Sequence, residues 1–219
     1  MSFSITSPLK NIIITLIFGL GCIAVQAQKF TSIKSDFSIL EKNTLQDSAF
    51  LVVGSLEYNL NSNYTIYKVD FPNKTTWEFR DSILTVYNDK DELEKTDTLG
   101  MMNDLVIFKK ILRDELADFG LKEAGFSVID VQQASSSVMM KWTPPPRMAF
   151  IKEVISKLDN NNLSGLIVID ENGKEINKTF YQDYVYVRGV PVPTKVKSHF
   201  IGDEEQIFKE LQFRNVIIE

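Results

Sequence analysis

Hydrophobic and polar residues alternate along most of this chain. In AFLVVGSLEYNL, Phe50, Val52, Gly54, Leu56, Tyr58 and Leu60 share one face, and Leu51, Val53, Ser55 and Glu57 take the other. This period of two predicts a half-buried strand. Asn61-Ser62-Asn63 turns the chain, and YTIYKVDF places Tyr67, Val69 and Phe71 opposite Lys68 and Asp70. After Pro72-Asn73-Lys74, the stretch TTWEFRDSILTVYN, carrying Trp77 and Phe79, reads as a hairpin that turns near Asp81. DKDELEKTDTL is an exposed loop or a strand that re-enters at Thr96 to Leu99.

Alternation resumes in FSVIDVQ and in SVMMKWTP, which carries Met139, Met140 and Trp142. Met148 to Leu158 fits a strand slightly better than a helix, given the Asn160-Asn161-Asn162 turn behind it. LSGLIVID runs into Glu171-Asn172-Gly173-Lys174, a hairpin signal. EINKTFYQDYVYV, a bend at Gly189 to Pro193, KVKSHFI and a last strand from Ile207 to Ile218 complete an antiparallel meander of roughly ten strands.

Two segments carry a helical period instead. Ile33, Phe37 and Leu40 predict a short amphipathic helix over Phe30 to Asn43. Leu105, Phe108, Leu112, Leu116 and Phe119 form a longer stripe, with Asn103 or Asp104 to cap its start and Gly120 its end.

Asn11 to Val25 is apolar, preceded by the single charge of Lys10 and followed by Val25-Gln26-Ala27. This is the pattern of a secretory signal peptide. The predicted organisation is therefore residues 1–27 as signal peptide and 28–219 as one domain, exported with cleavage near Ala27. The apolar run is short for a membrane span, which needs ~20 residues. Cys22, the only cysteine, lacks the leucine three places earlier that a lipidation site wants; Gly19 stands there.

The chain has 219 residues and a net charge of -5; removing Lys10 with the leader takes it to -6. Scattered basic residues on an acidic chain argue against nucleic acid as a partner. His199 is the only histidine, and the chain beyond residue 27 has no thiol. A zinc site needs more ligands of those kinds, and a Ser-His-Asp triad would have to use His199. No glycine-rich phosphate loop is present. Carboxylates cluster at Asp89 to Glu94 and Asp203 to Glu205, beside turns. A carboxylate-pair hydrolase stays formally open, but the expectation is a protein with no enzyme activity, no metal and no cofactor.

What remains is apolar surface. Fifteen Phe, seven Tyr and two Trp must pack on something: two sheets closed as a sandwich, or one curled sheet with a helix as its cover. The second arrangement makes a cavity suited to acyl chains. A ~16-carbon chain offers it roughly 10 kcal/mol of burial, at ~0.8 kcal/mol per methylene. Adaptable methionines suit such a lining.

The order of elements resembles the LolA-type periplasmic carriers of outer-membrane lipoproteins, over most of the chain. The carrying residues are SDF early in the chain, GSLEYNL where such carriers have G-x-L, and YTIYKVDFP ending in proline. Asp81-Ser82 and Tyr87-Asn88 flank an aromatic strand, and ENGK is followed by RGVPVPTKV. The resemblance implies a mainly β fold with α, a curled, incomplete antiparallel barrel covered by helices. It implies a monomeric periplasmic carrier that shields acyl chains of lipoproteins, or a related lipid, between an inner-membrane donor and an outer-membrane acceptor. Cavity candidates are Phe50, Val52, Leu56, Tyr67, Val69, Phe71, Trp77, Phe79, Met140 and Trp142; lid candidates are Leu105, Phe108 and Leu112. One departure is that the family's lid-holding arginine has no match, because Leu60 and Asn61 stand at its place. The competing reading is an exported β-rich interaction module with a solid core.

Overall fold

The computed structural model describes residues 30–80, 82–98, 104–203 and 205–219. The leader, Cys22 and the cap at Asn103 lie outside these residues. Thirteen strands form one antiparallel sheet. They are β1 (Ser32–Asn43), β2 (Ser48–Asn59), β3 (Tyr64–Phe71), β4 (Thr75–Arg80), β5 (Ile83–Tyr87) and β6 (Leu93–Thr98), then β7 (Ser127–Ala134), β8 (Ser137–Thr143), β9 (Ile151–Asp159), β10 (Asn162–Asp170), β11 (Glu175–Val187), β12 (Val190–Ile201) and β13 (Gln206–Ile218). The order across the sheet is β6-β5-β4-β3-β2-β1-β13-β12-β11-β10-β9-β8-β7. The sheet is open: β6 and β7 are its two edges, and every residue of both is exposed.

Turn chemistry sets the register. Asn160 and Asn161 both take positive φ, as do Arg188 and Gly189; each pair closes a two-residue hairpin of the kind whose twist matches its strands. At the β10–β11 turn the Asp170 amide donates to the Lys174 carbonyl at 2.9 Å, and Gly173 takes φ +83°. The bend expected at Gly189 to Pro193 is thus a hairpin at Arg188-Gly189. Pro191 and Pro193 lie within β12, before its pairing with β13 begins at Lys195.

Three expectations are corrected. Phe30 to Asn43 is not a helix: it contains β1, paired along its length with β2 on one side and β13 on the other. From Ile33 onward its buried residues, Ile33, Ser35, Phe37 and Ile39, alternate; the helical reading took Leu40, which is 37% exposed, in place of Ile39. Among the described residues the strands number thirteen, not about ten. The stripe from Leu105 to Phe119 is not one helix. A 3-10 turn at Asp104–Val106 leads into α1 (Ile107–Leu112), and turns follow, with positive φ at Asp114, Phe119 and Gly120. Among the described residues the helical cover is therefore one short helix.

The segment between the edges, 104–126, crosses the face of the sheet. From it, Ile107, Phe108, Ile111, Leu116, Phe119, Leu121 and Phe126 join the buried core with the strands, and α1 touches β1, β2 and β12 near the middle of the sheet. The covered side is called the inner face below. Among the described residues no helix is long and apolar enough to cross a membrane.

Candidate functional site

The inner face and the segment across it form the candidate site. Register places the residues. Tyr67 pairs with Leu56 on β2 and Trp77 on β4, and Val69 with Gly54 and Thr75. Val52 pairs with Ile39, and Trp142 with Val154. Cross-strand partners project from the same face, so these positions form one apolar floor.

Tyr67 is its hub. Phe37 stands 4.9 Å away at 82°, Phe79 5.3 Å away at 69°, and Trp77 6.3 Å away at 36°. The first two are the edge-to-face geometry that aromatic quadrupoles favour. The Tyr67 hydroxyl donates to the Leu105 carbonyl at 2.6 Å, so the cluster's polar tip holds the start of the crossing segment. Phe108 lies on Phe213 at 4.7 Å and Phe119 on Tyr181 at 5.7 Å. The inner face is thus occupied by the chain's own apolar side chains.

Of the expected cavity residues, Val52, Leu56, Tyr67, Val69, Phe79 and Trp142 are buried. Trp77 and Met140 are half-buried against the same core. Phe50 and Phe71 are about half exposed, at 51% and 52%, at the end of the sheet where β1 runs into β2. Phe150, 59% exposed just before β9, is at that end too. Among the expected lid residues Phe108 is buried, and Leu105 and Leu112 are half-buried. The spacing argument missed Ile107 and Ile111, which are more deeply buried than Leu105 and Leu112.

It also missed how the segment is held. Arg113 Nη2 donates to Asn63 Oδ1, in the β2–β3 turn, at 3.0 Å. Lys110 Nζ pairs with Glu115 at 2.8 Å, both largely buried. Burial pushes the nearby Tyr58 hydroxyl's pKa up, and the Arg113 guanidinium opposes that shift. The arginine that tethers the cover comes from the cover itself, not from the strand end at Leu60-Asn61. Only the turn signal at Asn61-Ser62-Asn63 marked either partner in advance.

Replacing Arg113 by Ala removes a bond worth about 1 kcal/mol. Amide exchange across 104–126 should then accelerate roughly fivefold, with the β1–β13 seam unchanged. Mass-spectrometric exchange measures this, and equal protection in both proteins would show the bond to be idle.

Outward-facing depressions lie on the opposite side of the sheet. One of about 430 Å³ is lined by Met139, Ile155, Ile167 and Phe180, among others. His199 also lies there, stacked on Phe208 at 3.9 Å. Among the described residues no group of three His, Cys, Asp or Glu side chains is placed to hold a metal ion.

No family model matches the chain, and no curated protein matches it. Solved structures match its fold. A LolA superfamily protein from Nitrosomonas europaea aligns with a TM-score of 0.59 at 10% identity, covering 86% of each chain. A domain assigned to outer-membrane lipoprotein sorting, from Vibrio parahaemolyticus, gives 0.60 at 10% identity, again over 86% of each. A DUF1329 family protein from Desulfovibrio piger gives 0.62 at 10% identity, over 88% of this chain and 87% of the other. The fold is LolA-like.

Proposed function

We propose that this chain is a periplasmic carrier, exported by a cleavable signal peptide, that shelters acyl chains of outer-membrane lipoproteins or a related lipid against its inner face. It performs no catalysis. It takes cargo from an inner-membrane donor and yields it to an outer-membrane acceptor. The observation that carries this reading is the crossing segment: an apolar strap with one six-residue helix, laid over an aromatic floor and tied by few polar bonds. A helix of that length is marginal alone, so its order depends on the floor it covers.

Magnitudes narrow the cargo. Lifting the seven buried apolar side chains of the strap costs roughly 10–21 kcal/mol if they meet water. One ~16-carbon chain returns roughly 10 kcal/mol, and two return about twice that. The exchange favours cargo with more than one acyl chain. A fluorescent diacyl probe, titrated without detergent, should bind saturably at about one per protein in the micromolar range, near -8 kcal/mol. Arg113→Ala should tighten that binding. Absence of saturable binding ends the carrier reading.

The filled inner face favours a second reading, an exported β-rich interaction module. Under it the same titration is flat, and the protein co-purifies with a protein partner instead.

A further inference from the structure

The two bare edges of the sheet differ in chemistry. β6 carries Glu94, Lys95 and Asp97. Lys95 and Asp97, paired with each other at 2.9 Å, stand opposite the buried Val86 and Leu84, so both charges sit on the inner face. Inward-pointing charge is one way a natural sheet edge refuses a further strand. β7 has no such guard. Val128 and Val131 stand opposite Trp142 and Met140, so the apolar floor runs on to this edge and stops there, with Val131 56% exposed. Asp130 is the only charge on the strand. By alternation it lies on the outer face with Gln132, whose Nε2 donates to its carboxylate at 3.0 Å. The pairing with β8 shifts at Ile129 and leaves 130–134 regular.

The strand's own residues show what fits against it. In antiparallel pairing inner residues must meet inner residues, so a slip of one position is excluded. A second copy of β7, related by a two-fold axis through Val131, sets Val131 on Val131 at the inner face. On either side of the axis it sets Asp130 of one copy against Gln132 of the other. Each carboxylate meets an amide donor, and no like charges meet. An axis through Asp130 would oppose the two carboxylates, and one through Gln132 would set Val131 against Gln133. β6 is a worse partner, because Lys95 and Asp97 would be laid against Val128 and Val131.

We propose that β7 is a docking edge for a second copy of this chain, joined antiparallel about Val131 so that the two inner faces run into each other. The proposal stands apart from the carrier reading. The contact is one strand wide, at the small end of specific interfaces near ~1,200 Å², so the dimer forms at about 10–100 µM.

Sedimentation of the exported chain over a concentration series should show this dimer. Amide exchange across 127–134 should slow as concentration rises, with 93–98 unchanged. Val131→Lys copies the guard of β6 at an exposed position; it should weaken the dimer by about tenfold or more and leave the thermal midpoint in place. Because the chain beyond residue 27 has no cysteine, Val131→Cys puts a single thiol on the axis, and mild oxidation should join two copies. Gln133→Cys, whose copies lie well apart across the axis, should stay unlinked. A monomer at every concentration up to ~1 mM overturns the proposal and leaves the edge to an extended segment of another protein. A dimer that survives Val131→Lys, protection of 93–98 alongside 127–134, or cross-linking at Gln133 instead of Val131 overturns it as well.

Discussion

Gly54→Ala should leave little folded protein. Gly54 sits on β2 between Phe37 and Val69, next to the irregularity in β2–β3 pairing at Val53. A Cβ there would lie 2.0 Å from the Lys68 carbonyl oxygen and 2.9 Å from the Val69 Cα. Both are backbone atoms of the neighbouring strand, so no rotamer change relieves the clash. The strands must separate at the centre of the aromatic floor, a cost above about 3 kcal/mol, at the severe end for a single substitution. Gly165→Ala is the control. Its Cβ would meet the Phe180 ring and the Thr179 carbonyl at 3.6 Å, ordinary contact, and its stability should change by less than about 1 kcal/mol. Urea titration of both proteins decides; a Gly54→Ala protein as stable as the control would refute the close approach of β2 and β3.

Trp142→Ala should cost about 3–5 kcal/mol. The indole is fully buried, and its Nε1–H donates to Ser156 Oγ at 2.9 Å, on a serine that is itself fully buried. Part of the cost is volume and part is the bond, and three further variants separate them. Trp142→Phe keeps most of the volume but strands the Ser156 hydroxyl, adding about 1–3 kcal/mol. Ser156→Ala strands the indole N–H in the same way. The double variant removes both polar groups and should be more stable than the two single losses summed. Strict additivity in thermal unfolding would show the bond to be energetically empty.

These residues also show how far the sequence carries. Trp142, Leu56 and Phe79 announced themselves by alternation, because their neighbours in sequence are polar. β1 did not. Its inward positions include Ser35, whose hydroxyl is buried and bonded to backbone carbonyls of Asp36 and Arg214. That serine interrupts the apolar alternation, and Leu40 lent the segment a helical period. Pairing on both sides then overrode local preference. In β11 the apolar rule inverts: Phe180 is 44% exposed while Thr179 is buried. No reading that places hydrophobic residues inside could find the buried Thr179, Ser198 and Asn177. The tether was illegible for a different reason: Arg113 and Asn63 are fifty positions apart, and only the crossing of the sheet brings them together.

The order of the strands has a mechanical meaning. Apart from the β1–β13 seam, every strand is hydrogen-bonded to its predecessor or successor in the chain, and the residues that begin and end the described fold meet at that seam, where the Thr31 amide donates to the Glu219 carbonyl at 2.7 Å. Followed from β7 through the seam to β6, the sheet is one up-and-down ribbon, and 104–126 spans the gap between its two edges. That span contributes no rung to the ladder. Lifting it from the floor would unzip no strand pair, so on the proposed carrier reading the vessel would keep its shape while its stopper is drawn.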